Sequence, residues 1–303
     1  MVLPLRGYKR KNRAVRALAA LVVVTSVWGV TFVQVKDAVA VYPVLAFLAI
    51  RFAIASATLA VPGAPRLRGL GRRGVGAGAF AGVLLAAGYV LQTVGLERTS
   101  VSSAGFVTGM YVVLTPLLAL GIFRIRIGRA AWVGVLLATV GLAMLAGIHG
   151  GSASGDLLVL GGAGVYSLQI VLLERFAPRY DALAYTLVEM LAAFGVLGLA
   201  AVPTLSMPRG WTVWGALIVT GVFASALGFL VQTWVQQRAS ATRTALVFAL
   251  EPVWAAIFGF SLAGDRLGPL GWGGCAVIMA GIVLAEPAAG NALVRLVRRP
   301  SLA

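Results

Sequence analysis

The chain has 303 residues, of which 60% are hydrophobic and 11% are charged. Soluble domains carry about 25% charged residues, so this chain has too little polar surface to cover a water-soluble fold of its size. Its net charge of +16 does not indicate a nucleic-acid partner, because the Lys and Arg residues stand in short clusters between long apolar runs, as topology signals do. The composition therefore predicts a protein whose main solvent is the lipid bilayer.

Ten apolar segments are long enough to be membrane-spanning helices, since about 20 residues cross the hydrocarbon core. None shows the alternating polar and apolar residues of a membrane β-barrel. In chain order the segments are about 16–36, 43–62, 74–96, 102–123, 130–148, 157–174, 182–203, 211–236, 242–263 and 267–286. The pattern predicts an all-α membrane protein with ten transmembrane helices.

The orientation of these helices follows from the distribution of basic residues. If the N-terminus is cytoplasmic, the inside segments hold 20 of the 25 Lys and Arg residues and the outside segments hold four. Positively charged segments remain on the cytoplasmic side. We therefore predict a multi-pass protein of the cell (inner) membrane with both termini in the cytoplasm.

The two halves of the chain resemble each other at an offset near 140 residues. The clearest match joins GYVLQT, which begins at Gly88, to GFLVQT, which begins at Gly228. The other matches at this offset are Trp132 with Trp272, Gly134 with Gly274, and Gly141 with Gly281. Pro116 corresponds to Pro252 at an offset of 136, and weaker matches at an offset of 138 are Trp28 with Tyr166 and Arg51 with Glu189.

This repeat predicts how the chain is organised. A half with five spans begins and ends on opposite sides of the membrane, so the second half must run inverted relative to the first. We divide the chain into a basic cytoplasmic N-terminus (1–15), two five-helix repeats (16–148 and 156–286) and a basic cytoplasmic tail (287–303). Inverted repeats are typical of secondary transporters that work by alternating access, with the substrate site between the repeats near the midplane. The alternatives are a non-transporting membrane scaffold or sensor and, less favoured, an intramembrane enzyme.

Several segments resemble a known family. They are WGVTF at Trp28, LAIRF around Arg51, RTSVSSAGFVTGMYVVLTP at 98–116 and RASATRTALVFALEP at 238–252. Together with the ten segments in two halves, they resemble the EamA-type members of the drug/metabolite transporter superfamily. The resemblance implies a carrier, commonly an exporter, of small metabolites such as amino acids or drug-like compounds. It also implies that the first, third, fourth, sixth, eighth and ninth helices surround a central cavity.

Three ionisable residues, Arg51, Glu189 and Glu251, lie well inside predicted spans. A charge at the centre of a membrane helix costs at least about 2.5–3.5 kcal/mol. Arg51 and Glu189 have opposite charges at matched positions, so they form either an internal ion pair or a hydrogen-bonded clamp between helices, or they serve the function. Glu251 precedes Pro252, which should kink the helix, as should Pro116 in the first half. Glu251 could bind a positive substrate group or exchange a proton, and a structural role is equally open.

Polar and aromatic residues on the predicted inner helices could line the cavity. Each could equally be an ordinary packing or hydrogen-bonding residue between helices. As a set they weakly favour a site for polar or aromatic organic molecules. With Glu251 they are Trp28, Thr31, Gln34, Gln92, Tyr111, Thr115, Tyr166, Gln169 and Gln232.

We predict no cofactor, no metal site and no enzymatic activity. The one histidine, His149, and the one cysteine, Cys275, are far apart in sequence, and no catalytic set of side chains stands out. No phosphate-binding loop of the GxxxxGK(S/T) type occurs. The expected partners are a small-molecule substrate and the bilayer, and the oligomeric state stays open.

Overall fold

The computed structural model describes residues 5–99, 101–146, 152–262 and 268–285. Within these ranges the chain is almost entirely helical and has no β-strand. A π-helical segment, Val219–Leu227, joins α9 to α10. The α-helices are α1 (Leu5–Val39), α2 (Val44–Gly63), α3 (Gly71–Arg98), α4 (Val101–Gly109), α5 (Tyr111–Phe123), α6 (Arg129–Ala146), α7 (Ala153–Phe176), α8 (Ala182–Ala201), α9 (Trp211–Ile218), α10 (Gly228–Gln236), α11 (Ala241–Phe248), α12 (Leu250–Leu262) and α13 (Pro269–Ala285). The first four residues and the predicted tail 287–303 lie outside the described ranges.

Eight helical stretches among the described residues are long and apolar enough to cross a membrane. They are Ala19–Val39, Val44–Gly69, Gly71–Arg98, Ser103–Phe123, Ala153–Arg179, Ala182–Thr204, Trp211–Gln236 and Ala241–Phe258. Two shorter apolar helices, Arg129–Met144 and Pro269–Ala285, occupy the fifth and tenth predicted segments. The all-helical membrane class is confirmed, whereas the count of ten spans stays a prediction.

The outer surface of the bundle is apolar. Leu199 on α8 is 78% exposed and Leu136 on α6 is 64% exposed, whereas polar side chains such as Gln169 and Glu189 are buried. A water-soluble protein does not distribute its residues in this way, because exposed apolar area is unfavourable in water. The surface fits a hydrocarbon environment.

Two predicted spans, 102–123 and 242–263, in which Pro116 and Pro252 predicted kinks, are each divided by a short break. The first break is at Met110, whose N–H bonds the Val107 carbonyl 3.1 Å away, so that the turn tightens. The second is at Ala249, three residues before Pro252. Pro252 has no N–H and cannot donate to the carbonyl four residues earlier. Helical hydrogen bonding is therefore weakened at the level of the second break.

The helices α6 and α13 pack through glycines that the repeat relates. A Cβ added to Gly134 would lie 2.7 Å from the Gly281 carbonyl oxygen, and one added to Gly141 would lie 2.6 Å from that of Gly274. As residue numbers rise along one helix they fall along the other, so the helices are antiparallel. Their backbones meet directly because these positions carry no side chain.

A second reciprocal contact joins the halves near their centre. A Cβ on Gly88 of α3 would lie 2.5 Å from the Tyr166 ring of α7. A Cβ on Gly228 of α10 would lie 2.9 Å from the indole nitrogen of Trp28 of α1. The first helix of each half thus packs an aromatic ring on the matched glycine of the other half.

Candidate functional site

A cavity lies between the two halves, within the membrane-spanning part of the helices. The space between its walls is about 680 Å³, counting space that is open to solvent. Helices of both halves contribute to its wall. The lining residues are Trp28, Thr31, Phe32, Val35, Arg51, Tyr89, Gln92, Thr93, Leu96, Thr108, Tyr111, Tyr166, Gln169, Ile170, Phe229, Gln232, Phe248 and Glu251.

The structure brings most of the predicted cavity residues into this one space. The eight that line it are Trp28, Thr31, Gln92, Tyr111, Tyr166, Gln169, Gln232 and Glu251. Arg51, which was predicted as an intramembrane charge, lines it as well. Gln34, Thr115 and Glu189 are not among the lining residues.

Helix geometry explains two of these exceptions. With 3.6 residues per turn, Val35 rather than Gln34 follows Thr31 on the same face of α1, and Val35 lines the cavity. Thr115 lies one turn beyond Tyr111 on α5 and is fully buried. The side-chain oxygens of Gln34 and Thr115 are both buried without a hydrogen-bond partner among the described residues.

Aromatic rings form much of the wall. The Trp28 ring centroid is 5.5 Å from that of Phe229 and 4.9 Å from that of Phe248. Tyr89 lies 5.5 Å from Tyr166 and 6.2 Å from Phe229, in edge-to-face geometry. Edge-to-face pairs are a favourable arrangement for aromatic side chains, so the wall is a connected cluster of rings from both halves.

The π-helical segment helps to position two cavity residues. The Trp28 indole N–H donates to the Ala224 carbonyl at 2.8 Å, and the Ser225 hydroxyl accepts from Arg51 Nε at 2.8 Å. A π-helical stretch shifts the ordinary helical hydrogen-bond pattern, and such stretches are frequent at functional sites. Here its carbonyl and hydroxyl hold one residue from α1 and one from α2.

Arg51 is a buried cation whose hydrogen-bond partners are neutral. Its side chain is 3% exposed, and besides Ser225 it donates through Nη2 to the Tyr89 hydroxyl at 3.0 Å. Its guanidinium carbon lies 4.4 Å from the centroid of the Tyr89 ring. Within the described ranges, the one side-chain ion pair joins Arg66 to Asp181 at 3.8 Å, so the geometry does not contain the ion pair with Glu189 that the sequence left open.

Glu189 belongs to a chain of amides beside the cavity. Gln169 Nε2 donates to Glu189 Oε1 at 2.8 Å, and Gln232 Nε2 donates to Gln169 Oε1 at 3.1 Å. Gln232 also donates to Gln236, which donates to the Ile170 carbonyl at 2.7 Å. Glu189 itself is fully buried, and these bonds link its carboxyl group to two lining side chains.

Glu251 lies in the cavity wall next to the second helix break. Its Oε2 is 3.2 Å from the Tyr111 hydroxyl, which also donates to the Phe248 carbonyl at 2.8 Å. That carbonyl is the one left without a helical donor by Pro252. Pro116 lies within α5, six residues after the break at Met110. Tyr111 therefore connects the first half to the irregular part of the second.

Tyr89 and Phe229 occupy the centre of the aromatic wall and were not among the predicted cavity residues. Both belong to the matched motifs GYVLQT and GFLVQT, three residues before Gln92 and Gln232. Residues three apart share a helix face, so the repeat carried a usable signal. Thr93, the last residue of GYVLQT, carried the same signal.

The described residues contain no group of three or more His, Cys, Asp or Glu side chains that could hold a metal ion. His149 lies outside the described ranges. The charged groups of the site are instead one guanidinium and one carboxyl group, set among amides, hydroxyls and rings. Such a lining suits an organic molecule with both apolar and polar parts.

A bundle of apolar helices around a polar and aromatic cavity is the general form of a membrane transporter. The sequence profile of the EamA-like transporter family matches residues 15–147 and 153–285. The chain therefore belongs to this family, and it is a multi-pass membrane transporter.

Individual relatives agree with this assignment. An uncharacterized transporter of Archaeoglobus fulgidus is 29% identical over 87% of this chain and 83% of its own length. The uncharacterized inner membrane transporter YedA of Escherichia coli K12 is 29% identical over 88% of this chain and 89% of its own. Human solute carrier family 35 member F6 is 30% identical, but only over 41% of this chain and 37% of its own length.

The fold is also similar to a solved one. A crystal structure with 18% sequence identity superimposes with a TM-score of 0.75, covering 93% of this chain and 99% of that protein. At this identity the likeness concerns the fold alone.

Proposed function

We propose that the protein is a secondary transporter that exports small organic metabolites by alternating access. The observation that carries the proposal is the cavity, because side chains from both halves enclose it within the membrane-spanning helices. Its lining of rings, amides and charged groups suits an amino acid or a drug-like compound. A membrane scaffold has no need of such a cavity, and no reactive set of side chains in it favours an enzyme.

The pairing of the halves supports alternating access. We propose that 16–148 and 156–286 are inverted five-helix repeats, flanked by cytoplasmic segments at 1–15 and 287–303. The antiparallel glycine contact of α6 with α13 supports the inversion, because an axis that relates two antiparallel helices is perpendicular to them. Such an axis lies in the membrane plane, and two similar halves related by it can exchange conformations across the bilayer.

We propose two roles for Glu251, binding a positive substrate group or exchanging a proton. The Tyr111 hydroxyl has one hydrogen and faces two acceptors, the Phe248 carbonyl and Glu251, of which the carbonyl is nearer. A hydroxyl cannot donate fully to both. If Glu251 carries a proton, it can donate to the Tyr111 oxygen while the Tyr111 hydroxyl donates to the Phe248 carbonyl. Loss of that proton to a substrate or to water would change these contacts.

The test is flux in proteoliposomes with a panel of amino acids and cationic drugs, with and without a pH gradient. We expect saturable flux of at least one compound above that of protein-free liposomes. In inverted membrane vesicles, accumulation of that compound would support export. No flux for any compound, in protein shown to be folded, would contradict the proposal.

Glu251→Gln tests the role of the carboxyl group. If Glu251 exchanges a proton, the variant should transport downhill but lose acceleration by the pH gradient, since an amide cannot titrate in this range. Glu97→Gln is the matched control, because Glu97 is exposed near the end of α3. Equal pH dependence of flux in Glu251→Gln and the wild type would remove the proton-exchange role.

A further inference from the structure

No carboxylate among the described residues lies within ion-pair distance of Arg51. Its side chain is 3% exposed and lines the cavity, and its hydrogen-bond acceptors are the hydroxyls of Ser225 and Tyr89. Hydroxyl oxygens solvate a guanidinium, but they do not neutralise it. An ionised side chain in the membrane is usually paired or marks a substrate pathway.

Both buried carboxyl groups of the central region are held by other residues. Glu189 accepts from Gln169 and lies off the cavity, and Glu251 is bonded to Tyr111 of the first half. Neither forms an ion pair with Arg51. The guanidinium therefore faces the cavity without a carboxylate in direct contact, although Glu251 lies in the same wall and interacts with it electrostatically.

The contacts of Arg51 fix its orientation and leave donors free. A guanidinium has five N–H groups, and the contacts with Ser225 and Tyr89 use one at Nε and one at Nη2. The Tyr89 ring, 4.4 Å away, covers one face of the group. The remaining donors include Nη1, and a guanidinium held in this way can bind a carboxylate or phosphate through two parallel hydrogen bonds.

We infer that Arg51, positioned by Ser225 and Tyr89, is the subsite for an anionic group of the substrate. The inference rests on the proposed transport function and narrows it: the transported molecule carries a carboxylate or a phosphate and is not a simple cation. Aromatic rings beside the subsite, Tyr89, Tyr166 and Phe229, take the apolar part of the same molecule. Where Glu251 binds a positive group, the substrate is a zwitterion.

The alternative is a structural role in which Arg51 only clamps α2 to α3 and the π-helical segment. Such a clamp would affect folding and the transport of every substrate equally. An anion subsite makes a different prediction, because it changes the preference between ligands that differ only in charge. The experiment therefore measures a ratio of affinities rather than activity alone.

Matched probes share one apolar body and differ in their charged groups. The probes are L-phenylalanine, its amide, 3-phenylpropionate, 2-phenylethyl phosphate and 2-phenylethanol, with corresponding sets built on leucine and lysine. Binding to the purified wild-type protein is measured as competition for flux and as thermal stabilisation. We expect at least one carboxylate or phosphate probe to bind about tenfold or more tightly than the matching amide or alcohol, as for a charged hydrogen-bonded pair. Whichever of the carboxylate and phosphate probes binds more tightly identifies the anionic group that the substrate carries.

Arg51→Gln should bring the ratio of affinities for the anion-bearing probe and its anion-free match close to one. Arg51→Lys should keep part of the preference, because a lysine retains the charge but not the paired donors. Arg66→Gln is the control, since Arg66 is exposed and pairs with Asp181 at the surface. If Arg51→Gln does not fold, Ser225→Ala keeps the charge and releases Nε. That variant should lower the ratio severalfold while the protein remains folded.

Three outcomes would overturn the inference. They are equal wild-type binding of anion-bearing and anion-free probes, an unchanged ratio in the Arg51 or Ser225 variant, and no binding of any anion-bearing probe. Transport of cationic drugs in those cases would leave the proposed function standing. Conversely, anion-selective binding that depends on Arg51, without flux of any compound, would support the subsite and overturn transport.

Discussion

The Tyr111 hydroxyl donates a hydrogen bond to the Phe248 carbonyl, which has no donor within its own helix. Pro252 removes the donor for Phe248, and the Tyr111 hydroxyl lies 2.8 Å from that carbonyl oxygen. Inside a membrane, water is not available to replace a missing backbone donor. A proline in a spanning helix is thus tolerated because a side chain from the other half compensates for it.

Replacing Tyr111 by Phe should therefore destabilise the protein by about 1–3 kcal/mol, the cost of a buried polar group that loses its partner. Tyr185→Phe is the matched control. The Tyr185 hydroxyl donates to the Ala77 carbonyl at 3.1 Å, but Ala77 lies inside α3 and has a helical donor as well. Thermal unfolding in detergent measures both variants, and equal losses of stability would contradict this account of Pro252.

The individual residues of the site could be predicted only in part. Arg51, Glu189 and Glu251 stood out because charge inside a span is costly, but their neighbours could not be inferred. Arg51 bonds to Ser225, 174 positions away, and no spacing rule connects residues that meet only after the two halves pack. The repeat motif marked Gln92 and Gln232, and the shared helix face extends that signal to Tyr89, three residues before Gln92.

At the scale of the helices, the backbones of α3 and α8 come close together at Gly82, which has no side chain. A Cβ on Gly82 would overlap the Glu189 carbonyl oxygen and lie 2.8 Å from the Ala192 Cβ. The spacing of Gly74, Gly78 and Gly82 predicts a bare helix face of this kind. The approximate positions of the eight long apolar helices were also predictable from hydropathy, and Pro252 predicted a kink near the break at Ala249. The break at Met110 and the π-helical segment carried no comparable sequence signal.

Gly82→Ala should destabilise the protein by about 1–3 kcal/mol, since overpacking against a backbone atom forces the helices apart. Gly76 lies on the same helix with no atom within 4 Å of an added Cβ. Gly76→Ala should therefore be neutral or stabilising by up to about 1 kcal/mol, because alanine favours a helix over glycine. Unfolding midpoints in one detergent compare the two, and a tolerated Gly82→Ala would show that α3 and α8 are less tightly packed.

For the whole molecule, the basic residues predict that both termini are cytoplasmic and that matched loops of the two halves lie on opposite sides. Reporter fusions that are active on only one side of the membrane test this when placed after 126 and after 266. We expect the first to report a cytoplasmic position and the second an external one. The same side for both would contradict the inverted arrangement.

For the whole molecule, alternating access requires that the cavity open to each side of the membrane in turn. With Cys275 replaced by Ala, Thr31→Cys places a single thiol in the cavity wall, and Leu199→Cys places one on the outer apolar face as a control. The measurement is labelling by a membrane-impermeant maleimide added to one face of oriented vesicles at a time. We predict that Thr31→Cys is labelled from either face, that a transported compound slows the labelling, and that Leu199→Cys is not labelled. Labelling of Thr31→Cys from only one face under all conditions, or from neither, would contradict alternating access.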